Sequence, residues 1–106
     1  MYLVVLPIPT NHDSRAAIRV FETAVIEQYG GFTRVAGTGA WRDPQGHTIK
    51  DCVWRYEIAA AEADDDDDDT RLFLPELLAR VGRMMKQNAM FWVMVPCKFC
   101  VQTVEP

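Results

Sequence analysis

Apolar residues recur along this chain at two spacings, and the switch between them predicts four strands and two helices. Tyr2 to Ile8 is a short apolar run closed by Pro7 and Pro9, which reads as a first strand. Both of its parities are apolar: Tyr2, Val4 and Leu6 point one way, Leu3 and Val5 the other. A strand of that kind is expected to be covered on both faces. Ala17, Ile18, Phe21, Ala24, Val25 and Tyr29 then repeat at helical spacing, with Arg15, Arg19, Glu22 and Glu27 on the other side. Asp13 or Ser14 is placed to cap this helix, and Gly30-Gly31 ends it, because glycine enters the left-handed conformation at little cost.

Phe32 to Trp41 reads as a second strand, and Ile49 to Ala60 as a third. Asp43-Pro44-Gln45-Gly46 turns the chain between them. Gly37 and Gly39 interrupt the second strand, which predicts a bulge or a close approach to the backbone. On the third strand Trp54, Tyr56 and Ile58 share one face, while Asp51, Val53, Arg55 and Glu57 share the other. Ala59 to Asp69 is of low complexity, and its six consecutive carboxylates, Asp64 to Asp69, predict an exposed acidic loop. A second helix is expected from Thr70 or just after it, with Pro75 tolerable only in the first turn. Its buried stripe would be Leu74, Leu77, Leu78, Val81 and Met84 or Met85, with Arg80, Arg83 and Lys86 outside. Ala89 to Val95 reads as the fourth strand; beyond Pro96, Cys97 to Val104 would continue it or form a short strand of its own.

The order βαββαβ is that of an α+β, ferredoxin-like domain: a four-stranded antiparallel sheet with two helices on one face, spanning residues 1–106 as a single unit. The helix-free face would then carry Leu3, Val5 and half of Met90 to Val95. Exposed apolar surface of that extent usually marks an interface. A homo-oligomer, dimer or trimer, packed through the open sheet face is therefore expected.

Charge changes this picture little. The formal net charge is −4, but the aspartate run alone supplies six negative charges, and the remainder is slightly basic. The lysines and arginines are scattered singly, so no stripe for a nucleic-acid backbone is expected. No apolar stretch approaches the roughly 18 to 20 residues of a membrane helix, and Met1 to Ile8 lacks the charged start of a signal peptide. Three cysteines form no even disulfide framework, which suggests a reducing, cytoplasmic setting.

Cys97-Lys98-Phe99-Cys100 has redox or zinc spacing, but a metal would need further ligands from Cys52, His12 and His47. Neither a metal nor a cofactor is expected. The aspartate run lacks the alternation and glycine of a calcium loop. Gly37-Thr38-Gly39 precedes no helix, so it lacks the dipole of a phosphate loop. No nucleophilic triad or nucleotide motif is visible, and no catalytic residue is assigned. The candidate ligand-binding residues are Trp41, Arg42, Asp51, Arg55, Tyr56 and Glu57 on the central hairpin. Charged groups there need partners or a ligand if the face is covered.

At Gly30-Gly31-Phe32-Thr33, Gly39-Ala40-Trp41-Arg42-Asp43, Asp51 and Tyr56-Glu57 the chain resembles a class of small uncharacterised bacterial and phage proteins. They share a GGxT…GxWr hairpin and a late Q-x-A before an apolar strand, here Gln87-Asn88-Ala89 with an insertion. More remotely the layout is similar to the phage enzymes that degrade S-adenosylmethionine, themselves similar to PII-type trimers with active sites between subunits. That resemblance implies a lyase releasing methylthioadenosine. A sulfonium would be held by an aromatic face and a carboxylate, types that Trp41, Tyr56 and Glu57 supply. Three functions are thus expected from different classes. One is a small-metabolite binder with clefts between subunits, which asks least of the sequence. The others are the lyase and an acidic interaction module, such as a phage inhibitor of a host nucleic-acid enzyme.

Overall fold

The computed structural model describes residues 1–59, 68–87 and 91–95, with side chains of the second helix described from Phe73 onward. Cys97, Cys100, the stretch from 97 to 104, and Asp64 to Asp67 lie outside the described residues. The elements run β1 (Tyr2–Pro7), α1 (His12–Tyr29), β2 (Thr33–Arg42), β3 (Thr48–Ile58), α2 (Asp68–Met84) and β4 (Phe91–Met94). The four strands form one antiparallel sheet in the order β2-β3-β1-β4. The protein is thus α+β, with two helices against a four-stranded sheet.

Each end of α1 has a local cause. The cap is Asn11, in extended backbone, whose Oδ1 accepts the Ser14 backbone N–H at 2.8 Å. The expectation of Asp13 or Ser14 placed the cap two or three residues late; Asp13 instead sits inside the first turn, where a negative charge favours the helix dipole. Gly30 closes the helix at φ 92°, donating its N–H to the Ile26 carbonyl at 2.9 Å.

The start of α2 differs from expectation. The helix begins at Asp68, so Asp68 and Asp69 are helical rather than part of the acidic loop. Carboxylates at a helix N-terminus meet its unpaired N–H groups and its positive dipole end, which favours their recruitment. Pro75 consequently falls inside the helix, not in its first turn. There it removes a backbone donor. Ala89 and Met90 lie outside the described residues; β4 ends at Met94, one residue before the expected Val95, but the ladder continues past it. The Met1 amino group donates to the Val95 carbonyl at 3.0 Å, and the Val95 N–H to the Met1 carbonyl at 2.7 Å.

The core lies between the helices and one sheet face. Tyr2, Val4 and Leu6 of β1 and Tyr56 and Ile58 of β3 join Ile18, Phe21 and Val25 of α1 and Leu74, Leu77, Leu78, Val81 and Met85 of α2. Burying each such side chain contributes about 1.5–3 kcal/mol against the entropy of ordering the chain. Phe21 and Phe32 meet the Tyr56 ring edge-on at centroid distances of 4.8 and 5.2 Å. Val4 and Leu6 are fully buried, while Leu3 and Val5, pointing to the other side, are half-buried.

The β2–β3 ladder is unbroken from Thr33–Glu57 to Arg42–Thr48, so Gly37 and Gly39 make no bulge. β1 reaches only as far as Val53 along β3, with one more bond from the Ile8 N–H to the Cys52 carbonyl. The outer part of the hairpin therefore projects past the core.

Candidate functional site

Register assigns the helix-free face. Glu57, Arg55 and Val53 stand opposite Leu3, Val5 and Pro7 of β1, and opposite Thr33, Val35 and Gly37 of β2. On the other side of β1, Val93 and Phe91 pair with Leu3 and Val5. Side chains at directly opposed positions share a face. The outcome is a broad apolar surface whose described charged groups are Asp51 and the Arg55–Glu57 pair, at 3.3 Å.

Trp41 organises the far end of this surface. Gly39 is opposite Asp51 and Trp41 is opposite Ile49, so Trp41 and Asp51 are diagonal neighbours. The indole Nε1–H donates to Asp51 Oδ2 at 3.1 Å. That bond turns the ring back along its own strand, onto Gly39. A Cβ added at Gly39 would lie within 2.9 Å of the ring atoms Cη2, Cζ3 and Cζ2. Gly39 therefore supplies the close approach anticipated from the sequence, and the approaching group is an indole. Gly37 is different: a Cβ there would meet only Val53 Cγ2, at an ordinary 3.8 Å.

Beside the ring is a hollow of about 400 Å³. Val5, Pro7, Val53 and Phe91 give it apolar walls, and Trp41 forms one side. Asp51 and Gln87 are its polar lining residues. A concave, mostly apolar site with few polar groups is the usual form of a small-ligand site.

The six sequence-derived candidates do not converge on one point. Trp41 and Asp51 meet, and Arg55 and Glu57 meet. Glu57 is opposite Thr33, eight residues along β2 from Trp41, a separation of roughly 27 Å at the usual strand rise. Arg42 is exposed at the hairpin end, next to the turn in which Asp43 Oδ1 accepts the N–H groups of Gln45 (2.9 Å) and His47 (2.8 Å). Tyr56 is buried on the helix face. The aromatic and carboxylate groups suggested for a sulfonium are thus distributed over both faces and both ends of the hairpin.

Tyr56 belongs to a separate polar cluster that sequence reading missed. Its hydroxyl donates to Glu22 Oε2 at 2.7 Å, and Arg34 NH1 donates to the same oxygen at 2.8 Å. The Arg34 guanidinium also lies 4.2 Å above the Trp54 ring. Burial, then the bond to Glu22, push the Tyr56 pKa above its ordinary value. The bond to Glu22 likewise raises that of Arg34. The sequence places Glu22 on the side of α1 away from its apolar stripe, and only the packing of that helix on the sheet brings it to the β2–β3 pair.

Among the described residues no group of three His, Cys, Asp or Glu could hold a metal ion, and Cys52 is an exposed free thiol. No described helix is long and apolar enough to cross a membrane. In comparison with known proteins, no family model matches the chain and no curated protein matches its sequence.

Proposed function

We propose that this protein is a ferredoxin-like domain that assembles with copies of itself through the open sheet face and holds a small metabolite in the hollow beside Trp41. The observation that carries the reading is the run of exposed large apolar side chains across the helix-free face, although edge strand β4 is also exposed on its other side, at Trp92 and Met94. Phe91 is 61% exposed, Trp41 46%, Val35 42% and Val93 38%, all on the side away from the helices. Leaving such a surface in water forfeits the stabilisation that covering it would give. The strand order β2-β3-β1-β4, with βαββαβ connectivity, supports the ferredoxin-like assignment. An exposed Cys52 thiol suits a reducing, cytoplasmic setting. A second copy would turn the open hollow into an enclosed cleft, which is where a small ligand gains most from burial.

Sedimentation velocity tests the assembly. The protein is expected to form a dimer or trimer at high micromolar concentration. Val35→Glu combined with Val93→Glu should leave a folded monomer by circular dichroism, because both positions already face solvent in the single chain. A wild-type protein that stays monomeric throughout would refute the proposal.

A further inference from the structure

Resting on the reading of the Trp41 hollow as a ligand site, we infer that its ligand is a protonated amine carried on a flat apolar body. Asp51 is the counter-ion and the indole of Trp41 is the platform. Three observations converge on this class. The walls formed by Val5, Pro7, Val53 and Phe91 are apolar, so the body of the ligand is apolar. Among the described residues Asp51 makes no ion pair: the one cation on its face, Arg55, is engaged by Glu57. Of its oxygens Oδ2 accepts from Trp41, and the described residues offer no donor to Oδ1. The indole, seated on Gly39 and tethered to Asp51, is held in place before any ligand arrives, and nearly half of its surface is open.

Charge then discriminates. Among the described residues no lysine or arginine lines the hollow, so an anion would meet a carboxylate that they do not offset. A neutral apolar molecule would cover that carboxylate and leave it without compensation. A protonated amine satisfies both terms, through a charge-assisted hydrogen bond to Asp51 and attraction to the indole face. A hollow of about 400 Å³ admits one or two fused rings with a short amino arm.

The test uses three probes of one shape and different charge: phenethylammonium, 2-phenylethanol and 3-phenylpropionate. The readout is the Trp41 indole N–H in proton–nitrogen spectra, assigned with Trp41→Phe. Phenethylammonium should shift that signal saturably, the alcohol at least about 10-fold more weakly, and the propionate not at all. Asp51→Asn, which keeps an acceptor for the indole, should remove the preference for the cation; Phe91→Ala should weaken the ammonium and the alcohol alike. Equal response to cation and anion, no response to any probe, or an unchanged preference in Asp51→Asn overturns the inference. So does a loss of self-association in Asp51→Asn without amine binding, which would make a side chain of the second copy the counter-ion. Sedimentation of the same samples separates the two readings. An assembled protein with no amine preference sinks this inference alone, and a monomer that selects the ammonium sinks the assembly alone.

Discussion

Gly39→Ala and Gly37→Ala form a matched pair whose outcomes should diverge. Both glycines lie in β2 without positive φ, so alanine fits either backbone. Reducing the freedom of the unfolded chain contributes about 0.4–1 kcal/mol of stability in each case. At Gly37 the new methyl meets one Val53 carbon at 3.8 Å, and that gain should be kept. At Gly39 it would lie within 2.9 Å of three carbons of the Trp41 ring, which must swing away. The swing breaks the 3.1 Å bond to Asp51, at a net loss of roughly 0.5–1.5 kcal/mol for a hydrogen bond. The two terms at Gly39 oppose each other, leaving a variant between about 0.5 kcal/mol more and about 1 kcal/mol less stable. The pair should therefore differ by about 1 kcal/mol, or roughly 4–8 °C in Tm for a domain of this size. Thermal unfolding followed by circular dichroism measures that difference. The indole N–H of Trp41 gives a second readout, expected to move in Gly39→Ala and to stay in Gly37→Ala. Equal Tm values together with an unmoved Trp41 signal in Gly39→Ala would show that the ring does not rest on Gly39.

Removing the hydroxyl in Tyr56→Phe should destabilise by about 1–2 kcal/mol in urea titration, because Glu22 loses a donor at 2.7 Å and keeps Arg34. Since the folded state raises the Tyr56 pKa, it holds a proton that the unfolded chain releases near pH 10. The stability this contributes is complete below pH 10 and falls as pH rises toward the folded value, by about 1.4 kcal/mol per unit. Denaturation series at rising alkaline pH should show a shallower decline in Tyr56→Phe than in the wild type. Phe21→Ala, at a fully buried site against Tyr56, should cost about 3–5 kcal/mol, a large share of a small domain's stability, read as a lowered urea midpoint.

How much of this was legible in the sequence follows from how local each signal is. Helical spacing from Ala17 to Tyr29, the Gly30 stop and the alternation of Trp54, Tyr56 and Ile58 are properties of neighbouring residues, so element order and core faces could be read directly. Boundaries were less legible where two local preferences compete. The aspartate run argues for hydrated loop by mutual repulsion, yet aspartate is also a residue type favoured at helix starts, and α2 begins at Asp68. Asn11 outcompetes Asp13 and Ser14 as cap through its backbone conformation, which composition does not show. The candidate site was half legible: residue types on the hairpin pointed to Trp41 and Asp51, but register, not proximity in sequence, separates them from Glu57 by most of the strand.

The amino-acid order by itself determined the βαββαβ succession, the two faces of β1 and β3 and the surplus of apolar residues on the helix-free side, because all of these are written in spacings of two to four residues. Only the tertiary structure decided that one indole folds over a glycine to meet a carboxylate, that a hollow opens between Trp41 and Phe91, and that Glu22, Arg34 and Tyr56 share a bond network. Those contacts join residues on different strands and on a helix. Their geometry depends on strand register and on how α1 lies across the sheet, and these are set by the packing of the whole core rather than by any one segment.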